Sequence, residues 1–159
     1  MEGPEGDTET PGELRIHGPV VMSGYLGLPE AGAAAFDDDG WLRTGDLARR
    51  DEEGYYQIVG RLKDIIIRGG HNVYPREVEE AFYEHSDVAE AAVLGVPDPR
   101  FDEKVVTYVA LQPGSTADEA ELSAFVRERL ASYKWPQSVT LMDSLPKNAT
   151  GKVVKDLLR

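Results

Sequence analysis

Lys147, Lys152, Lys155 and Arg159 face only one acid, Asp156, within residues 147–159, a net of +3. A second basic stretch, 61–77, sets Arg61, Lys63, Arg68 and Arg76 against Asp64 and Glu77, a net of +2. The chain as a whole carries a formal charge of −12. On such a background two basic islands read either as solvated surface or as the place of a small anionic ligand, and charge alone leaves both readings open. The overall acidity argues against nucleic acid as a partner, because a polyanion would be repelled. Gly151 permits a tight turn that projects Lys152. The Gly-Lys pair is not a phosphate-binding Walker loop, since the G-x-x-x-x-G-K-[ST] frame is absent and Val153 follows. There is no cysteine, so disulfides, thiolate metal sites and a cysteine nucleophile are excluded. His17, His71 and His85 lack metal-site spacing and offer no nucleophile–base pair. No metal site is expected.

The elements that must carry these residues fall into two parts. Over 1–62 the sequence predicts small, twisted β-structure. It reads as a strand over 13–21 (ELRIHGPVV), a short helix over 30–36, and two strands joined by a Glu-Glu-Gly turn within RTGDLARRDEEGYYQIVGR. Such a sheet buries little alone and reads as the β-rich end of a larger domain. From residue 63 to 159 the pattern changes. DIIIRGGHNVYP predicts a strand entering a Gly-Gly turn and a proline-ended loop. Pro75 then opens a helix with Val78, Ala81, Phe82 and His85 on one face. Strands are predicted over 88–96, 104–111 and 138–142, with a second helix over 117–131 and a short helix from Lys152 onward. The expected class is α+β: a short sheet flanked by helices, preceded by the β-rich remnant. No run is long and apolar enough to span a bilayer. The N-terminal MEGPEGDTETPGEL is acidic and lacks the apolar core of a secretory or transit signal, so the expected location is cytoplasmic.

The strings GYLGLPE, DGWLRTGDLA, GYYQIVGRLKDIIIRGGHNVYPREVEE and LPKNATGKVVKDLLR, in this order, resemble the adenylate-forming superfamily. That group includes acyl- and aryl-CoA synthetases, firefly luciferase and the adenylation domains of non-ribosomal peptide synthetases. The resemblance implies that Asp46 binds the ribose hydroxyls of ATP and the acyl-adenylate, with Arg61 near the ribose and phosphate. Lys63 matches a hinge position between the two parts. Gly70 matches a residue lining the pantetheine tunnel, and Tyr74 and Arg76 are expected near the CoA arm. Lys152 matches the lysine that stabilises charge on the α-phosphate during adenylation.

The implied reaction joins a carboxylic acid to CoA, with ATP converted to AMP and pyrophosphate through an acyl-adenylate. Mg2+ would arrive through ATP. The wording of the motifs is closest to fatty-acyl or related CoA ligases. The phosphate loop and acyl pocket of the family belong to a preceding domain, so the expected partner is that N-terminal domain, and the chain alone is expected to be inactive. A non-catalytic interaction fragment or split subunit, and part of a carrier-protein-loading enzyme, are the alternatives.

Overall fold

The structure, a computed structural model, describes residues 10–159. The chain divides into two compact units, the first ending at Lys63 and the second running from Asp64 to Arg159.

The first unit is a three-stranded antiparallel sheet in the order β1-β2-β3, formed by β1 (Gly12–Ile16), β2 (Leu42–Arg50) and β3 (Tyr56–Arg61), with a short helix α1 (Pro29–Ala34) between β1 and β2. The first strand is shorter than the sequence pattern suggests. Gly18 takes φ 135° before Pro19, and the Val21 amide closes a turn onto the Gly18 carbonyl, so pairing ends at Ile16. One register shift, between Glu13 and Arg15, sets Leu14 opposite the Thr44-Gly45-Asp46 segment, and a second follows that segment between Leu47 and Ala48. The turn between β2 and β3 is built by Asp51, whose carboxylate accepts from the Tyr55 amide at 2.8 Å.

The second unit is a five-stranded sheet with different layers on its two faces. Its centre is β7 (Asp102–Leu111), paired along one edge with β6 (Val88–Asp98). The other edge takes β8 (Ser138–Met142) in parallel along residues 106–110, and the hairpin of β4 (Ile66–Arg68) and β5 (His71–Val73) at Asp102. The segment after Gly-Gly is therefore a second short strand rather than a loop. Between those two partners Gln137 completes the ladder: its amide donates to the Val105 carbonyl and its side-chain oxygen accepts from the Val105 amide.

Alternation sorts the strand side chains. Val93, Val105 and Val109 face α2 (Pro75–Tyr83) and α3 (Glu119–Arg127), where Val78, Phe82, Leu122 and Val126 complete one core. Ala92, Leu94 and Val106 face the opposite way and meet Leu145, Val153 and Leu158 of the C-terminal tail. The tail thus forms the second covering layer. The α3 helix is shorter than its sequence pattern, ending at Arg127. Asp118 caps its start by accepting from the Glu121 amide, and beyond its end the Leu130 carbonyl is taken by the Trp135 indole. His85 lies past the end of α2, edge-on to Phe125 with ring centroids 4.7 Å apart.

Candidate functional site

In the first unit the Thr-Gly-Asp segment is fixed from below. The Thr44 hydroxyl donates to the Leu14 carbonyl at 2.6 Å and accepts from the Asp46 amide at 3.1 Å. Gly45 sits at φ 69°, a conformation that favours glycine, and its amide donates to Glu13. Asp46 and Arg61 are register partners across β2 and β3, and the Arg61 Nε lies 2.8 Å from Asp46 Oδ1. The guanidinium orients the carboxylate through one oxygen. Among the described residues, Oδ2 accepts no hydrogen bond, so it remains available to a hydroxyl. Lys63 is exposed in the 3-10 turn Leu62–Asp64 and is the last residue of the first unit.

In the second unit, Gly69 and Gly70 form the β4–β5 turn at φ 56° and 80°. A Cβ at Gly70 would meet no atom within 4 Å, whereas one at Gly69 would touch the Phe101 ring at 3.5 Å. Gly70 is thus an open, exposed backbone position that a ligand can approach closely. Tyr74 precedes α2 and is half-buried. Arg76 is exposed and pairs with Glu80 one turn on, at 2.9 Å.

Neither basic stretch is simply solvated. Arg68 is spent internally: its Nη1 donates to the carbonyls of Ser132, Tyr133 and Trp135 at 3.4, 2.8 and 3.1 Å. Lys134, beside them, pairs with Glu77. Burial works against its charge, but the hydrogen bond and attraction of Glu77 prevail and hold its pKa above the ordinary lysine value.

In the tail, Lys147 pairs with Glu90 at 2.8 Å and Lys155 with Glu79 at 2.7 Å. Lys152 lies between them and, among the described residues, makes no salt bridge. It is exposed in a turn rather than at a helix start. The Val154 amide donates to the Pro146 carbonyl and Lys147 bridges Val153, which closes a narrow loop that turns at Ala149–Thr150 and carries Lys152 on its returning arm, opposite Asn148; the following 3-10 turn begins only at Lys155.

The sequence singles out Lys152 but not the residues that surround it. Glu79, Glu90 and Lys155 lie far apart in the chain and carry no local signal. Asn148, whose side chain holds the Lys152 loop, had one: Asn-x-x-Gly is the residue preference of a tight turn.

The family model of the AMP-binding enzyme C-terminal domain matches residues 77–152. The long-chain-fatty-acid–CoA ligase of Bacillus subtilis is 51% identical over 144 residues, 91% of this chain and 26% of that protein. A feruloyl-CoA synthase of Amycolatopsis is 46% identical over 162 residues, all of this chain and 33% of its own length. The crystal structure of ATP-bound MatB from Rhodopseudomonas palustris superposes with a TM-score of 0.88 at 42% identity, over 95% of this chain and 30% of that one. The chain belongs to the adenylate-forming superfamily, to its C-terminal portion. It spans about a third or less of the length of the relatives it matches.

Proposed function

We propose that this chain supplies the C-terminal portion of an ATP-dependent acyl-CoA ligase, with Lys152 acting in the adenylation step. The observation that supports this most is the contrast among the tail lysines: Lys147 and Lys155 are neutralised by Glu90 and Glu79, while the Lys152 ammonium, on a closed loop, has no acidic partner among the described residues. A positioned, unpaired cation is what charge building on phosphoryl oxygens requires.

In the first half-reaction the substrate carboxylate attacks the α-phosphorus of ATP, the bond to pyrophosphate breaks, and an acyl-adenylate results. Lys152 stabilises the phosphoryl oxygens. Asp46 accepts from the ribose diol through the oxygen that Arg61 leaves open, and Arg61 lies near the phosphate. In the second half-reaction the CoA thiol attacks the acyl carbon, loses its proton, and releases AMP. The Gly69–Gly70 turn lines the pantetheine arm, with Tyr74 and Arg76 toward CoA. The Arg76–Glu80 pair is exposed on both sides and exchanges readily for a phosphate. Lys63, where the two units divide, is the pivot between the half-reactions.

Mg2+ enters with ATP in this scheme. Among the described residues no group of three or more His, Cys, Asp or Glu is placed to hold a metal ion. No helix among them is long and apolar enough to cross a membrane, and a cytoplasmic location fits a reaction that draws on ATP and CoA. The phosphate loop, acyl pocket and carboxylic acid site are assigned to an N-terminal domain partner, which fits the greater length of the relatives.

The test grafts residues 10–159 onto the Bacillus subtilis ligase in place of its matching portion. The graft is expected to exchange pyrophosphate into ATP and to form acyl-CoA. Lys152→Ala should lower the exchange by about 100-fold while thioester formation from supplied acyl-adenylate persists. An inactive graft, or exchange that survives Lys152→Ala, overturns the assignment. The 159-residue chain alone should show no turnover with ATP, a fatty acid and CoA.

A further inference from the structure

The loop bearing Lys152 is neither helix nor strand, so its shape depends on a few hydrogen bonds. Most of them converge on one residue. The Asn148 Oδ1 accepts from the Thr150 amide at 3.0 Å, from the Thr150 hydroxyl at 2.8 Å and from the Lys152 amide at 2.9 Å. In the other direction the Asn148 amide donates to the Lys152 carbonyl at 2.9 Å, and the Asn148 carbonyl accepts from Gly151 at 3.0 Å. Both peptide groups that flank the Lys152 α-carbon are therefore tied to Asn148. The direction of the Cα–Cβ bond follows from the orientation of those two groups, so Asn148 sets where the lysine side chain departs.

We propose that Asn148 is a positioning residue for Lys152; this rests on the role given to Lys152 above. The side chain suits the task on two counts. An amide oxygen accepts several N–H and O–H donors at once, and being neutral it leaves the lysine charge uncompensated. The flanks of the loop are held separately, by Lys147 to Glu90 and by Lys155 to Glu79 and the Val93 carbonyl. Asn148 thus governs the inside of the loop, while the two lysines govern its attachment. Gly151, at φ 81° with open space where a Cβ would stand, completes the turn.

Two measurements decide the proposal. The first is amide hydrogen exchange on the 159-residue chain. Asn148→Ala should accelerate exchange at the Thr150 and Lys152 amides by about tenfold, the net worth of one such hydrogen bond, and leave the amides of β6 and β7 unchanged. Asn148→Asp keeps the acceptor and should retain the protection. Unaltered protection in Asn148→Ala overturns the proposal.

The second uses the grafted ligase. Asn148→Ala should lower adenylation on the order of 10- to 100-fold, the range expected when a catalytic group is displaced by about 1 Å, and leave thioester formation from supplied acyl-adenylate unchanged. Added to Lys152→Ala, it should cost nothing further, because Asn148 acts only through Lys152. Equal losses in both half-reactions, or a loss that multiplies on the Lys152→Ala background, would show a general structural role instead. If Lys152→Ala itself spares adenylation, the reading of Lys152 fails, and the exchange measurement still decides whether Asn148 holds the loop.

Discussion

The Lys155 ammonium lies 2.7 Å from the Glu79 carboxylate, joining the C-terminal tail on one face of the sheet to α2 on the other. The contact passes around the free edge of β6, and both residues also serve that edge. Glu79 accepts from the Val93 amide and Lys155 donates to the Val93 carbonyl, while the Tyr83 hydroxyl both accepts from and donates to Ala91 two residues earlier. Backbone groups that would otherwise be open to another strand are thereby occupied by side chains, which protects the edge from unwanted pairing.

Removing this clamp should weaken the attachment of the tail. Lys155→Met and Glu79→Gln are each expected to lower the stability of the second unit by about 1–2 kcal/mol, since both side chains are largely buried at 29% and 17% exposure. Urea titration of the two variants and the double variant measures it, and the double variant should lose less than the sum. Strictly additive losses would mean that the pair does not couple.

Little of that clamp was legible in the sequence. Glu79 falls on an α2 whose apolar face at Val78, Ala81 and Phe82 was plain from its spacing, but a carboxylate beside that face looks like any solvated acid. Lys155 stands in a basic run that charge counting leaves as surface. The valines of β6 and β7 were readable as core because burial on both faces selects continuous apolar runs. The three-residue strand His71–Val73 was not, because so short a strand shows no period. The Thr-Gly-Asp, Gly-Gly and Gly-Lys segments stood out as motifs, whereas the pairing of Asp46 with Arg61 depends on the β2–β3 register, which motif matching does not reveal.

Gly95 on β6 should resist substitution. A Cβ there would lie 2.6 Å from Glu103 Oε1 and 3.1 Å from the Ile66 side chain. The glutamate is flexible, but moving it sacrifices the 2.8 Å bond it accepts from the Ile67 amide, which holds the β4 strand. Gly95→Ala is expected to cost about 1–3 kcal/mol. On a Glu103→Ala background the same change should cost less, because the main obstacle is gone. An equal cost on both backgrounds would place the strain at Ile66 instead.

Thr107 offers the opposite case. It is 1% exposed in the middle of β7, and its hydroxyl has no hydrogen-bond partner among the described residues. A buried donor without a partner forfeits its hydration with nothing in return, and valine has nearly the same shape. Thr107→Val should raise the stability of the second unit by about 1 kcal/mol, read as a higher urea midpoint with an unchanged slope. A loss of stability would show that the hydroxyl is satisfied in solution.

The first unit should be sensitive to acid through Asp37. The Trp41 amide donates to its carboxylate at 2.8 Å, the Asp39 amide at 3.1 Å, and Arg15 at 2.8 Å. Partial burial opposes these bonds, but led by the Trp41 amide they hold the Asp37 pKa below the ordinary carboxylate value. A group whose pKa is lower folded than unfolded binds fewer protons when folded. Its stabilising contribution is therefore complete above the unfolded value and is lost as pH falls through the folded one. Fluorescence of Trp41, with Trp135 replaced by Phe to remove its signal, should report a first unit that loses stability as pH drops below the ordinary carboxylate range. Asp37→Asn should make the same unit less stable at neutral pH and flatten that acid limb. An acid limb unchanged in the variant would assign the sensitivity to another carboxylate.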